Sequence, residues 1–242
     1  RTIAGRWTSS PMSEWAFGGD GCVCTLHGHS QGVHHGSFSP DGRYIASVGG
    51  ELNIWEVATG NTLVSIPWNA DWEYSCGFSP DGKILVASRS DGPPVVFDVP
   101  GGRVIHELAG HAKAVRSCSF SPNGKWIASC GDDSILKIWD AATGNELATL
   151  RGHADAVAAC AFHQMVERIV SASWDASLRV WDFRSGRTLV ELAADRANGC
   201  TGHQHGVTLC AYAPDGETIF SASPLESVIR KWDARSGEQA IS

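Results

Sequence analysis

Apolar and polar residues alternate along this chain in short bursts, each cut off by turn-forming residues. In the clearest stretch Ala114 to Phe120 alternates, Pro122-Asn123-Gly124 turns, and Trp126 to Ser129 runs apolar. Asp132-Asp133 then turns, Ile135 to Trp139 alternates, Thr143-Gly144-Asn145 turns, and Glu146 to Leu150 closes the unit. A period of two over such short runs predicts β-strands, and no helix of ordinary length fits between these turns. The stretch therefore reads as four antiparallel strands.

The same unit recurs. Phe38-Ser39-Pro40-Asp41-Gly42, Phe78-Ser79-Pro80-Asp81-Gly82, Phe120-Ser121-Pro122-Asn123-Gly124 and Tyr212-Ala213-Pro214-Asp215-Gly216 share one turn, with Phe162 opening a variant copy. A second series, Trp15, Trp55, Phe97, Trp139, Trp181 and Trp232, keeps the same spacing of about 42 residues. Four short strands repeated at that period predict an all-β propeller of four-stranded antiparallel blades rather than a sandwich.

Gly28-His29, Gly110-His111, Gly152-His153 and Gly202-His203 open units that end on Trp139-Asp140, Trp181-Asp182 and Trp232-Asp233, with Trp55-Glu56 and Phe97-Asp98 as weaker versions. In these pairs the chain resembles the WD40 repeat family over essentially its whole length. Arg1 to Leu26 also aligns without a gap on Glu167 to Leu192, so the chain is expected to open at the second strand of a blade. The expected organisation is one propeller domain over 1–242: a partial blade at 1–26, then five full blades at 27–67, 68–108, 109–150, 151–201 and 202–242. That falls one strand short of six blades and further short of the family's usual seven, so a fragment of a longer chain is expected.

The resemblance implies a buried hydrogen-bonded tetrad in each intact unit: His111, Ser129, Asp133 and Trp139, and again His153, Ser171, Asp175 and Trp181. Ser, His and Asp also suggest a hydrolase, but a constellation repeated in several units reads as structure, because catalysis needs a single exposed nucleophile beside an oxyanion site. No catalytic residue is assigned and no enzyme is expected. The other units decay. The unit of His29 keeps Ser47 and Trp55 but has Gly49-Gly50 and no Asp in its turn, so a looser blade is expected. The next has Asn69, Ala87, Asp91 and Phe97 at the four positions, and the last keeps His203, Ser221 and Trp232 with Glu226 near the Asp place. Stability should concentrate in 109–192.

Composition narrows the chemistry. Residues are 43% hydrophobic and 19% charged, enough apolar content for a packed core, and the formal charge of -7 opposes phosphate backbones. No nucleic-acid or membrane partner is expected, since no apolar run reaches the eighteen residues a span needs. Eight cysteines in a chain of this length fit a reducing compartment, and a cytoplasmic location is expected. Cys76, Cys118, Cys160 and Cys210 each stand two residues before the aromatic anchor, which predicts packing between blades. Cys22, Cys24, His27 and His29 have zinc-like spacing, but His29 belongs to a tetrad position, and no metal site is assigned. The glycine-rich turns lack the Lys-Ser/Thr and helix N-terminus of a phosphate loop, so no cofactor is assigned.

Partner binding is expected on loops. By the resemblance, the loop before the first strand and the turn between second and third strands open on one face. That places Gln31, Asp71, Trp72, Lys113, Asp155 and His205 in one set, and Arg89, Asp132 and Trp174 in the other. Trp72 and Trp174 lead, since a Trp in a polar turn has no packing reason in the repeat. Asp195, Arg196, Asn198 and Gly199 in the Ala193–Thr201 insertion are further candidates, and His163-Gln164-Met165-Val166 replaces the usual turn on the opposite face. The expected function is a non-catalytic scaffold binding a protein or peptide. The alternatives are a sensor or targeting module joined to further domains, such as an NTPase or ubiquitin ligase, and a propeller enzyme with a channel site.

Overall fold

The computed structural model describes residues 25–68, 74–193 and 202–238, and the descriptions below concern these. They hold nineteen strands and no helix. Blade 1 comprises β1 (His35–Phe38), β2 (Tyr44–Val48), β3 (Glu51–Glu56) and β4 (Thr62–Pro67). Blade 2 comprises β5 (Cys76–Phe78), β6 (Ile84–Ala87), β7 (Val95–Asp98) and β8 (Val104–Glu107). Blade 3 comprises β9 (Val115–Phe120), β10 (Trp126–Gly131), β11 (Ile135–Asp140) and β12 (Glu146–Arg151). Blade 4 comprises β13 (Val157–Phe162), β14 (Arg168–Ser173), β15 (Leu178–Asp182) and β16 (Arg187–Leu192). Blade 5 comprises β17 (Leu209–Tyr212), β18 (Thr218–Ala222) and β19 (Ile229–Asp233).

Each blade is an antiparallel sheet whose strands pair in chain order, four strands in blades 1 to 4 and three in blade 5. These are the blades of a β-propeller. The fourth strand expected for blade 5 and the partial blade expected at 1–26 fall almost wholly outside the described residues. The first strands, β1, β5, β9, β13 and β17, lie beside one another in succession, so the blades follow the chain.

Two local devices recur. In the first turn of blades 1 to 3 a serine hydroxyl does the work of a backbone group. Ser39 Oγ donates to Asp41 at 2.6 Å and accepts the Tyr44 amide at 2.9 Å, while Asp41 accepts the Arg43 amide at 3.0 Å. Ser79 with Asp81, and Ser121 with Asn123, repeat the pattern. Gly42, Gly82 and Gly124 then turn at φ 73, 71 and 71, where a side chain would be strained. The second device is a register shift between third and fourth strands immediately before Trp55, Phe97, Trp139 and Trp181. A bulge at a fixed place re-aims one side chain.

Apolar packing runs between neighbouring blades as well as within them. Ala128, Cys130, Leu136 and Ile138 of blade 3 meet Val157, Cys160, Phe162, Ile169, Trp181 and Phe183 of blade 4 in one cluster. Val170, Ala172, Leu178 and Val180 of blade 4 meet Val207, Cys210, Ile219 and Trp232 of blade 5 in the same way. The four periodic cysteines pack at these seams as anticipated. Cys76 Sγ donates to Ala46 O at 3.7 Å, Cys118 Sγ to Ser75 O at 3.6 Å and Cys210 Sγ to Val170 O at 3.8 Å, each reaching the preceding blade. Burial pushes the Cys118 thiol up to about 12 and raises the Cys76 and Cys210 thiols as well. A thiol is nucleophilic only as the thiolate. A colourless-to-yellow disulfide reagent at neutral pH should therefore leave Cys76, Cys118 and Cys210 unmodified in the native protein and label them at once in denaturant; prompt labelling of the native seams would refute this packing.

Candidate functional site

In blades 3 and 4 a tryptophan, a serine, a histidine and an aspartate are hydrogen-bonded together. In blade 3 Trp139 Nε1 donates to Ser129 Oγ at 2.7 Å, His111 Nε2 lies 2.8 Å from the same hydroxyl, and His111 Nδ1 lies 2.8 Å from Asp133 Oδ2. Blade 4 repeats this with Trp181 to Ser171 at 2.8 Å, His153 to Ser171 at 2.7 Å and His153 to Asp175 at 2.8 Å. One arrangement of protons satisfies every member. Indole N–H donates to hydroxyl oxygen, hydroxyl hydrogen goes to Nε2, and Nδ1–H goes to the carboxylate. Each carboxylate also accepts the amide after the histidine, Ala112 at 3.0 Å and Ala154 at 2.9 Å.

The hydroxyls of Ser129 and Ser171 are fully buried and already engaged on both sides. A serine so placed cannot reach a substrate, and the arrangement ties two strands, the turn between them and the preceding loop together instead. Burial lowers the His111 imidazole below its ordinary value, despite Asp133, so the ring stays neutral. Burial would raise the Asp175 carboxyl, but hydrogen bonds from His153, Ser177 and the Ala154 amide outweigh it and hold that group well below the usual carboxylate range.

Blade 1 corrects an expectation. Its turn has no Asp, yet Glu51 at the start of β3 supplies the carboxylate, accepting the Ser30 amide at 2.9 Å and standing 3.5 Å from His29 Nδ1. Glu51 lies as far from His29 in sequence as Asp133 lies from His111, a spacing that reveals it. The remaining links are complete, with His29 to Ser47 at 2.6 Å and Trp55 to Ser47 at 2.8 Å. Blade 1 is looser at its histidine–carboxylate contact, where His29 Nδ1 is buried without a hydrogen-bond partner. Blade 5 forms the set with His203 to Ser221 at 2.7 Å, Trp232 to Ser221 at 2.8 Å and His203 to Glu226 at 3.1 Å. Burial opposes ionisation of Glu226, but bonds from the Gln204 amide, Arg230 and His203 bring it down to about 2.

Blade 2 has no tetrad among its described residues, and Asn69 lies outside them. Ala87 and Phe97 are buried in its place. Trp68 stands where the other blades have the glycine before the histidine. At Gly28, Gly110 and Gly152 a Cβ would come within 2.9, 3.1 and 3.2 Å of the Trp ring of the same blade. The ring of Phe97 is shorter, and Trp68 packs edge-on against it at 5.6 Å, with its N–H on Ser88 O at 2.9 Å. The two exchanges compensate each other.

The exposed candidates gather around the loops. Asp132 accepts from Arg116 Nε and Nη2, and that guanidinium lies 4.4 Å from the ring centroid of Trp174 in the next blade. Trp174 remains 43% exposed. Its backbone is pinned to Ala156 O at 2.9 Å, and Gly206 of blade 5 comes so close that a Cβ there would stand 3.0 Å from Trp174 Cα. Arg89 lies over Trp68 at 5.6 Å and 3.8 Å from Asp91. Lys113 is exposed and lines a cavity of about 370 Å³ between Ser90–Pro93 and Ala109–Ala114. Gln31, Asp155 and His205 are exposed, and the His205 amide donates to Glu226 at 3.2 Å.

Asp71, Trp72, Asp195, Arg196, Asn198 and Gly199 fall outside the described residues, as do Cys22 and Cys24. Sequence reading missed the turn after Ser223: Leu225 is 71% exposed and Val228 about half exposed, beside the Glu226 that holds the Gln204 and His205 amides.

Stability should depend on pH through the tetrads. The neutral rings of His29, His111 and His203 have folded values below their unfolded one near 6.5. Their contribution is complete above about pH 6.5 and is lost as pH falls through the folded values. Urea midpoints should hold level from pH 8 to 7 and drop progressively from 6.5 towards 5; a midpoint that rises on acidification would contradict neutral buried rings.

The family profile described as WD domain, G-beta repeat matches residues 20–56, 102–140, 144–182 and 196–233, more than half of the chain. The largest unmatched stretch between these, 57–101, holds β4 and the first three strands of blade 2, where Ala87 and Phe97 replace the tetrad serine and tryptophan. Similar proteins include an uncharacterized WD repeat-containing protein of Synechocystis, 40% identical over 26% of this chain and 19% of its own length. A guanine nucleotide-binding protein subunit beta of Oryza sativa subsp. indica is 29% identical over 32% of the chain and 21% of its own length. Telomerase protein component 1 of Rattus norvegicus is 31% identical over 37% of the chain and 4% of its own length. The matched stretches thus cover about a fifth of the first two relatives and far less of the third.

Proposed function

The chain belongs to the WD40 repeat family, and on that premise we propose that it is a non-catalytic platform holding a protein or peptide on the loop face of blades 3 to 5. WD40 repeats are generally protein-interaction scaffolds. The observation that carries the proposal is Trp174. It is a large ring, 43% exposed, held by an arginine of one neighbouring blade and a glycine of the other, at a turn position where the other units have Gly50, Ser90, Asp132 and Pro224.

An exposed aromatic of fixed orientation costs little entropy to bind, which is why Trp and Arg dominate interface energies. Leu225 and Val228 add aliphatic surface on the neighbouring blade, while Arg116 with Asp132, Lys113 and Asp155 give a mixed-charge surround. Such a surface suits a segment with an apolar anchor flanked by polar residues. The relatives' lengths favour a second reading, in which this propeller is the targeting module of a larger assembly and displays the same face.

Trp174→Ala should weaken capture of the partner at least about tenfold and cost the fold about 1 kcal/mol or less through the lost Arg116 stacking. Trp181→Ala should instead cost about 3 to 5 kcal/mol. Affinity of an identified partner measured by calorimetry, beside urea melts of both variants, separates the roles. Equal partner affinity in Trp174→Ala and wild type would sink the proposal.

A further inference from the structure

On the face carrying the Ser-Pro-Asp-Gly turns, blade 4 departs from the repeat. Its anchor Phe162 is followed by His163, where blades 1 to 3 have Ser39, Ser79 and Ser121. The imidazole closes the turn with a different set of bonds. His163 Nδ1 accepts the Met165 amide at 2.9 Å and the Val166 amide at 3.2 Å. The other nitrogen, Nε2, donates to Gly216 O of blade 5 at 3.0 Å. The ring meets Tyr212 edge-on at 5.0 Å. Gly216 accommodates this approach because it has no side chain, since a Cβ there would stand 2.4 Å from Nε2.

We propose that His163 is a proton-sensitive clasp that closes the 163–166 turn, joins it to the 213–216 turn of blade 5, and releases both when Nδ1 is protonated. The hydrogen bonds require one tautomer, with Nε2 protonated and Nδ1 bare. A proton on Nδ1 faces two amide hydrogens with no acceptor between them, so both bonds are lost together. A serine at this position, as in blades 1 to 3, has no such sensitivity.

The surroundings offer no compensation for an imidazolium. Burial first, and then Arg168 on the same blade, lower the ring's value below the ordinary one, while the Gly216 carbonyl raises it only in part. Tyr212 is the titratable group packed against it, and burial keeps that phenol neutral. The nearby carboxylates are occupied elsewhere. Glu167 pairs with Arg184 at 2.8 Å, Glu217 with Arg235 at 2.7 Å, and Asp215 accepts the Glu217 and Thr218 amides at 2.8 and 3.1 Å. With a folded value below the unfolded one, the clasp is fully effective above about pH 6.5 and is lost as pH falls through the folded value. Its release frees Met165, already 87% exposed, and Val166 from the backbone bonds that hold them.

Nuclear magnetic resonance of the full chain tests this directly. At pH 7 the ¹⁵N shifts of His163 should report a bare Nδ1 and a protonated Nε2. Amide exchange at Met165 and Val166, corrected for the intrinsic pH dependence, should lose about tenfold protection between pH 7 and pH 5. The Lys125 and Trp126 amides, held by Asn123 and Ser121, should keep theirs and so exclude general loosening through the tetrads. In His163→Ser the Met165 and Val166 protection should be the same at both pH values. The opposite tautomer, or protection in the wild type that ignores pH, overturns the proposal; a pH loss that persists in His163→Ser overturns it too. If that variant does not fold, the wild-type tautomer and exchange decide alone.

Discussion

One buried hydroxyl in each of four blades sets the terms for the rest of this structure. Ser47, Ser129, Ser171 and Ser221 each sit between an indole N–H and an imidazole nitrogen, on the inner second strand of the blade. A buried hydroxyl without partners costs about 1 to 3 kcal/mol, whereas a closed network satisfies every donor and acceptor at once. The strand before the turn, the strand after it and the loop leading into the blade must therefore arrive in one register. The bulge before Trp55, Trp139 and Trp181 aims each indole at its hydroxyl, and the small residue at Gly28, Gly110 and Gly152 leaves room for the ring.

The same constraint separates scaffold from function. Positions inside the network cannot vary without leaving an orphaned polar group, so they repeat from blade to blade. Positions on the loop face are free of it and diverge: Asp132, Trp174 and Leu225 occupy comparable turns with no residue type in common. Blade 2 shows the hydroxyl and the indole replaced together, by Ala87 and Phe97. Trp68 and Phe97 exchange bulk between two places and leave an apolar contact where the other blades have a polar one. Removing one member alone has no such remedy.

Much of this was legible in the residues. The period of the Phe and Trp anchors gave the blades, and the Gly-His and Trp-Asp pairs gave the tetrads of blades 3 and 4, because those signatures are the contacts themselves. Glu51 was less legible, since a longer side chain starting from the next strand does the work of an aspartate in the turn. Only its distance along the chain from His29 marks it. Trp68 was illegible without coordinates, because its meaning lies in the ring of Phe97, remote in sequence. His163 announced itself as a departure from a repeated turn, but its bond to Gly216 crosses between blades and no local pattern encodes that. Exposure at Trp174 was readable from a Trp in a polar turn, whereas the Arg116 guanidinium over its ring was not.

The most direct test of the account is hydrogen exchange at four backbone amides: Ser30, Ala112, Ala154 and Gln204. All four residues are exposed and lie in loops, yet each amide donates to the carboxylate of a tetrad, at 2.9, 3.0, 2.9 and 2.7 Å. If the networks hold the blades together, these amides exchange as slowly as those of the neighbouring strands and lose protection only with the whole blade. Exchange at the rate of an open loop would show that the tetrads do not anchor the loops, and would contradict the account.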